Sequence, residues 1–282
     1  MPNRILNSLV VCFFLSATTF AQEVKRYKLS ESLNEISGLE QINDSTFVAI
    51  NDGGNKPIIF LLNAHGKILK KVKVVDAENT DWEDIAIDNK HLYIGDFGNN
   101  ENKRKKLVIY RVKIKDLLKG KEVESKKIKF SYPDQTKFPP SKKKFNFDAE
   151  ALVCDENSLI VFTKCNTDPW TGKAFAYKIP KEPGTYVAKK KKEIYIGPNG
   201  WGMDAITAAD YYEGKFYVST YNRIIILKYA NKKYSFVKEL FFDDISQKES
   251  IVVLTKNTAF VADEKHRLLG GGFLIKYKIP HD

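Results

Sequence analysis

The sequence predicts an all-β chain folded as a five-bladed β-propeller, with a strand from near the N-terminus completing the last blade. Three observations lead there. Helical periodicity is nearly absent outside a short stretch at 115–119, and β-branched and aromatic runs alternate with Gly, Asn, Asp and Lys clusters. Five segments vary one unit, the mark of a repeat architecture. The fifth unit runs out of chain before a fourth strand, and an unassigned segment at 23–29 can supply it, which is how a propeller hides its edge.

Residues 1–21 read as a secretory signal. Arg4 supplies the positive start, 9–15 a short apolar core, and Thr19-Phe20-Ala21 the small residues before a cut expected after Ala21. The apolar stretch is shorter than the roughly 20 residues a membrane span needs, and Cys12 lacks the context of a lipid anchor. The mature chain, 22–282, is then expected to be a single monomeric domain, secreted or periplasmic, with no membrane span. The full sequence's formal charge of +11 would otherwise invite polyanions. An exported protein does not meet chromosomal DNA, so the nucleic-acid reading falls away. Cys154 and Cys165, placed out of register on one hairpin, are expected as free thiols.

Ser37, Glu83, Glu150, Thr207 and Glu249 anchor the five units, and each opens an apolar run. A second run follows about ten residues later in every unit, at 47–49, 93–95, 160–162, 217–219 and 259–261. Third strands are expected at 58–62, 107–112, 174–179, 224–229 and 273–279. Fourth strands are expected at 68–75, 123–130, 191–196 and 236–242. A β-sandwich also has short, regularly spaced strands, but it gives no reason for an acid or hydroxyl to recur at equivalent strand starts. The Lys-rich stretches 102–106, 141–144 and 189–192 read as solvated turns, or else as an anion-binding rim.

In a propeller the first strand of each blade lines the central channel, so its starting residues converge on the axis. Three carboxylates and two hydroxyls meeting there would repel unless a hard cation sits among them. Calcium, which accepts 6 to 8 oxygen ligands in loose geometry, is the natural occupant. Ser37, Glu83, Glu150, Thr207 and Glu249 are therefore the candidate calcium ligands. The competing reading is that these acids pair with Lys or cap backbone amides. The four His residues lack ligand spacing for zinc. Gly200-Trp201-Gly202-Met203-Asp204-Ala205 mimics a dinucleotide fingerprint without the strand–helix context that would make it one.

About 14 residues beyond the anchors lie Asn51 and Asp52, Asp96 and Asn99, Lys164, Tyr221, and Asp263 and Glu264. They are expected to cluster beside the ion, with Asp52, Asp96 and Lys164 as catalytic candidates and Asn51, Asn99, Tyr221, Asp263 and Glu264 as ligand contacts. Turn chemistry accounts for part of the pattern, since Gly53, Gly54 and Gly98 suit positive φ.

Ser-Gly-Leu at 37–39, Asn-Asp-Gly-Gly at 51–54, Asp-Trp-Glu-Asp-Ile-Ala at 81–86, Tyr-Ile-Gly-Asp-Phe-Gly-Asn-Asn at 93–100, Tyr-Pro-Asp at 132–134, Asp-Ala-Glu-Ala-Leu at 148–152, Thr-Lys at 163–164 and Ile-Thr-Ala-Ala-Asp at 206–210 occur in that order. The series resembles a family of exported bacterial β-propeller proteins. More distantly, the order Ser37, Glu83, Glu150, Thr207, Glu249 is similar to the central calcium ligands of the calcium-activated nucleotidases, or apyrases, with Thr207 where that family has Ser. Those five-bladed propellers hydrolyse nucleoside di- and triphosphates. This chain departs from them at 51–54, where they carry Asp-Asp-Arg-Thr-Gly and it has no Arg.

Two functions follow as expectations. One is a calcium-binding module that captures a small anionic ligand or cell-surface partner. The other is a calcium-dependent hydrolase of phosphate esters or anhydrides with Asp52 or Asp96 as general base and Lys164 steadying charge. A lactonase-like or cyclotransferase-like propeller enzyme stands as an alternative to both.

Overall fold

A computed structural model describes residues 19–280. The signal-sequence reading falls largely on 1–18, outside the described residues. Five sheets are arranged as the five blades of a propeller. Blade one holds Ile36–Asn43, Thr46–Asn51, Ile58–Leu62 and Ile68–Val74, running from the inside outwards. Blade two holds Trp82–Ile87, His91–Asp96, Leu107–Lys113 and Ser125–Ser131, and blade three Asp148–Cys154, Leu159–Lys164, Lys173–Ile179 and Lys189–Tyr195. Blade four holds Ile206–Tyr212, Lys215–Thr220, Arg223–Ala230 and Lys233–Phe241. In blade five, Lys248–Thr255, Thr258–Asp263 and Phe273–Lys278 are joined by Gln22–Lys28, antiparallel to Phe273–Lys278. The expected closing strand is therefore present, and it satisfies an edge that would otherwise be free to pair with another chain.

Both faces of each blade are apolar because each is covered by a neighbour. Five hydrophobic clusters result, one at every blade interface. The inner strands touch in the order one to five and back to one, so the ring closes. Trp82, Tyr93 and Tyr177, among the largest fully buried side chains, lie in these seams.

Several outer features differ from expectation. Glu122–Val123 adds a parallel fifth strand to blade one, so the fourth strand of blade two starts at Ser125 instead of 123. Gly184–Val187 likewise extends blade two in parallel. Such partners come from distant sequence and leave no local signal. The stretch 189–192 is part of an outer strand, not a turn. Asn102 is fully buried, its side-chain oxygen accepting from the Phe147 amide at 2.9 Å and its carbonyl from Gln135 at 2.8 Å. Cys154 and Cys165 are free thiols, as expected. Upstream of the closing strand, the Phe241 amide donates to the Thr19 carbonyl at 3.0 Å and the Ala21 amide to the Phe241 carbonyl at 2.8 Å.

Candidate functional site

One device repeated five times builds the site. In every blade the pairing of inner and second strands slips by one residue at the anchor: between Ile36 and Leu39, Trp82 and Asp84, Ala149 and Ala151, Ile206 and Ala208, and Lys248 and Ser250. Ser37, Glu83, Glu150, Thr207 and Glu249 thus sit on β-bulges. A bulge leaves one residue unpaired and bends the strand, which re-aims that side chain. Because second strands run antiparallel to inner ones, their ends come back beside the bulges: Asn51 pairs with Ile36, Asp96 with Trp82, Lys164 with Asp148 and Asp263 with Lys248.

All five anchors are buried. The two hydroxyls bind neighbouring blades: Ser37 Oγ donates to the Glu83 carbonyl, and Thr207 Oγ1 to the Lys248 carbonyl at 2.5 Å. Glu83 is the hub of the acids. One of its carboxylate oxygens lies within 4.8 Å of ligand atoms of Asp52 and Asp81, and Glu83 forms a second such group with Asp148 and Glu150. Only 7% of Glu83 is exposed, and among the described residues its carboxylate accepts no hydrogen bond. Burial, reinforced by Glu150, Asp52, Asp148 and Asp81, pushes its carboxyl well above the usual carboxylate range.

Around this hub the other acids are also held high. Burial, then Asp52, lifts Asp81 to about 6. Burial lifts Glu249 to about 7 against the pull of Lys164, and Glu264 to about 8 with help from Glu249 and Asp52. Burial also raises Asp52. Lys164 Nζ pairs with Glu150 Oε2 at 3.0 Å. Burial alone would lower this ammonium, but Glu150, Tyr221, Glu249 and Asp148 hold it well above the usual lysine range. Its Nζ lies 5.2 Å from the centroid of the Trp201 ring and 5.7 Å from that of Tyr221. Tyr221 stands beside Glu249 and Lys164, close enough to interact with both electrostatically. A chain of +11 therefore carries an acidic bowl at its axis.

Not every candidate opens into that bowl. Asp96 Oδ1 is paired with Arg104 Nη2 at 2.7 Å and accepts from the Asp81 amide at 3.2 Å. To act as a base it would have to release Arg104. Asn99 is a brace: its amide donates to Asp148 Oδ1 at 2.6 Å, its Nδ2 to the Phe147 carbonyl at 3.0 Å, and its Oδ1 accepts from the Arg104 amide at 2.8 Å. Asn51 donates to the Ser32 carbonyl at 2.9 Å. Asp263 accepts from Ser246 Oγ and the Phe273 amide, each at 2.7 Å.

Sequence reasoning passed over Asp81 and Asp148. Each stands two residues before an anchor Glu, in Asp81-Trp82-Glu83 and Asp148-Ala149-Glu150, and alternate residues of a strand share a face; the repeated Asp-x-Glu was the available signal. Gly53 and Gly98 prove to serve close approach, not positive φ. A Cβ on Gly98 would meet the carboxylates of Glu83 and Asp81, and one on Gly53 would meet Asp81. Gly54, at φ +80, is the turn glycine.

A second set of acids, the buried Glu40 and Asp84 and the half-buried Asp210, also lies on the inner strands. Asp84 accepts from the Ile85 amide and from the Leu152 amide of blade three, both at 2.8 Å. Asp210 accepts from the Tyr211 amide and from the Val253 amide of blade five, both at 2.6 Å. Unlike Glu83, these two are satisfied, and they tie neighbouring inner strands together.

No known family profile and no curated protein matches the sequence. Solved structures do match in shape. The glutaminyl cyclase of Myxococcus xanthus superposes with a TM-score of 0.56 at 11% identity, over 93% of this chain and 98% of that one. A virginiamycin B lyase from Staphylococcus aureus gives 0.43 at 14% identity, over 91% and 70%. A nidogen/laminin complex gives 0.46 at 14%, over 81% and 72%. The first likeness supports the propeller fold and no more; the other two carry no argument.

Proposed function

We propose that this protein is an exported binding module whose working face is the acidic bowl, charged with one calcium ion. The observation that carries the reading is Glu83, buried, without a hydrogen-bond donor among the described residues, and shared by two groups of carboxylates. Ionising a mostly buried carboxyl that is crowded by four others is unfavourable, and a bound cation offsets that cost. All the donors are hard carboxylate oxygens, with no thiolate or imidazole, which suits calcium and not zinc. Asp52, Asp81, Glu83, Asp148 and Glu150 would hold the ion. Of the expected ligands, Glu83 and Glu150 belong to this set. Ser37 and Thr207 brace the ring beneath it, and Glu249 stands beside Tyr221.

The ligand is captured at the ion's remaining positions, next to Lys164. Without the ion the bowl repels anions, so an anionic ligand binds only in calcium. Calcium at a hundredfold excess over its Kd would add about 2.7 kcal/mol to stability. Metal analysis of the mature protein, with melting curves in calcium and in chelator, tests this. The shift should vanish in Glu83→Gln. A melting temperature indifferent to calcium would refute the reading.

A second reading, the calcium-dependent hydrolase, is favoured by Asp52 alone. Its carboxyl is raised by burial, it faces Lys164, and it stands in one of the two carboxylate groups. Phosphate release from a nucleotide that needs calcium and falls in Asp52→Ala would establish it over the binding module.

A further inference from the structure

Beside the bowl, between the tops of blades four and five, lies a cavity of about 210 Å³ lined by Trp201, Tyr221, Ile245, Gln247, His266 and Leu269, with Gly202 and Ser246. No Asp, Glu, Lys or Arg lines it. Three of its walls are large apolar side chains left open to solvent, Trp201 at 48%, Ile245 at 54% and Leu269 at 49%. His266 Nδ1 accepts from the Leu268 and Leu269 amides at 3.2 Å, which fixes the loop carrying that wall.

The Trp201 wall is preorganised. The indole belongs to the turn Trp201–Asp204, entered through Gly200 at φ 86. Asp204 accepts from the Asn199 amide at 2.6 Å and from Arg223 Nη1 at 2.5 Å, while Arg223 Nη2 donates to the Ile196 carbonyl at 2.7 Å. This buried pair pins the loop between blades three and four, so the stretch that mimics a dinucleotide fingerprint serves instead to present an indole.

Cavity and bowl share a seam. Tyr221 lines the cavity and interacts electrostatically with Glu249 and Lys164 in the bowl. Lys164 bridges in the same way, 3.0 Å from Glu150 on one side and 5.2 Å from the Trp201 ring on the other. The acidic cluster and the apolar wall thus share Lys164 and Tyr221.

Building on the calcium reading above, we propose that the ligand of this site is amphipathic: a single anionic oxygen-donor head coordinates the ion, and a compact apolar body seats against Trp201 in the cavity. The acids surrounding the ion oppose a second anionic group. The uncharged lining favours an apolar body, and the volume, small against the roughly 300–1,000 Å³ of common ligand pockets, limits it to one ring or one branched chain.

Two phosphonates that share a head and differ in body provide the test. Isothermal titration of the calcium-loaded protein with phenylphosphonate and methylphosphonate should give roughly tenfold tighter binding of the phenyl compound, as burial of one ring predicts. The preference should collapse in Trp201→Ala and in Leu269→Asp, two variants whose integrity is checked by the melting shift that calcium produces. Equal affinities in the unaltered protein, or a preference that survives both variants, would overturn the proposal. Binding of neither phosphonate overturns it as well, and the calcium shift measured in parallel then tells whether the ion reading falls with it.

Discussion

Glu249 offers a direct physical test of the bowl. Its carboxyl is lifted from 4.5 to about 7, chiefly by burial. A carboxyl with a folded-state pKa above its unfolded one binds its proton more tightly in the folded state. The stability this gives is fully present below pH 4.5 and is lost as pH rises through about 7. At roughly 1.4 kcal/mol for each pH unit of difference, ionising Glu249 should remove on the order of 3 kcal/mol from the metal-free protein. Glu264 and Asp81, lifted to about 8 and about 6, act with the same sign, though coupled groups do not add simply. Calcium reverses the sign, because the ion needs ionised carboxylates and displaces their protons. Urea unfolding at pH 5, 6, 7 and 8, in chelator and in calcium, measures both effects. Metal-free stability should fall across the series, the fall should be smaller in Glu249→Gln, and the calcium increment should grow with pH. A metal-free protein that gains stability from pH 5 to 8, or a calcium increment no larger at 8 than at 5, would refute the reasoning.

Other expectations follow from single contacts. Gly98→Ala places a methyl against Glu83 and Asp81 and should abolish the calcium-induced melting shift. Asp84→Ala strips the Leu152 amide of its acceptor between blades two and three, and chemical denaturation should register a loss of about 1–3 kcal/mol. Deleting Gln22–Lys28 bares the edge of Phe273–Lys278, and light scattering should detect association of the shortened protein. Cleavage after Ala21 should leave Gln22 as the first residue of the exported protein by mass spectrometry. It would also remove the two hydrogen bonds that Thr19 and Ala21 make with Phe241.

The blade count and the closing strand were legible because they depend on period. A bulged strand start and the run about ten residues later recur however long the outer loops grow. The bulge itself was invisible. A sequence carries the residue at each anchor but not the slipped pairing that turns Glu83 or Glu249 toward the axis. The two-residue spacing to Glu83 and Glu150 marks Asp81 and Asp148, whereas the blade-to-blade period marks only the anchors. Asp96 and Asn99 were misleading in a different way: at the right phase of the repeat, they are held by Arg104, by the Phe147 carbonyl and by the Asp148 carboxylate. Phase places a residue near the axis, whereas its local donors decide whether it remains available.

Glu83 and Asp84 make that distinction sharpest, since they are neighbours on one strand, both buried, and both raised well above the ordinary carboxylate range chiefly by burial. Asp84 accepts two backbone amides, one of them from the next blade, and so converts its burial into a tie across the ring. Glu83 accepts none among the described residues and faces four other carboxylates. Strand pairing alone would not keep so unfavourable an arrangement at the centre of a closed ring. An acid that is buried and satisfied is accounted for by the fold. An acid that is buried and crowded by its own kind, without such ties, is what the proposed calcium site would account for, since the hard oxygens around it suit a cation.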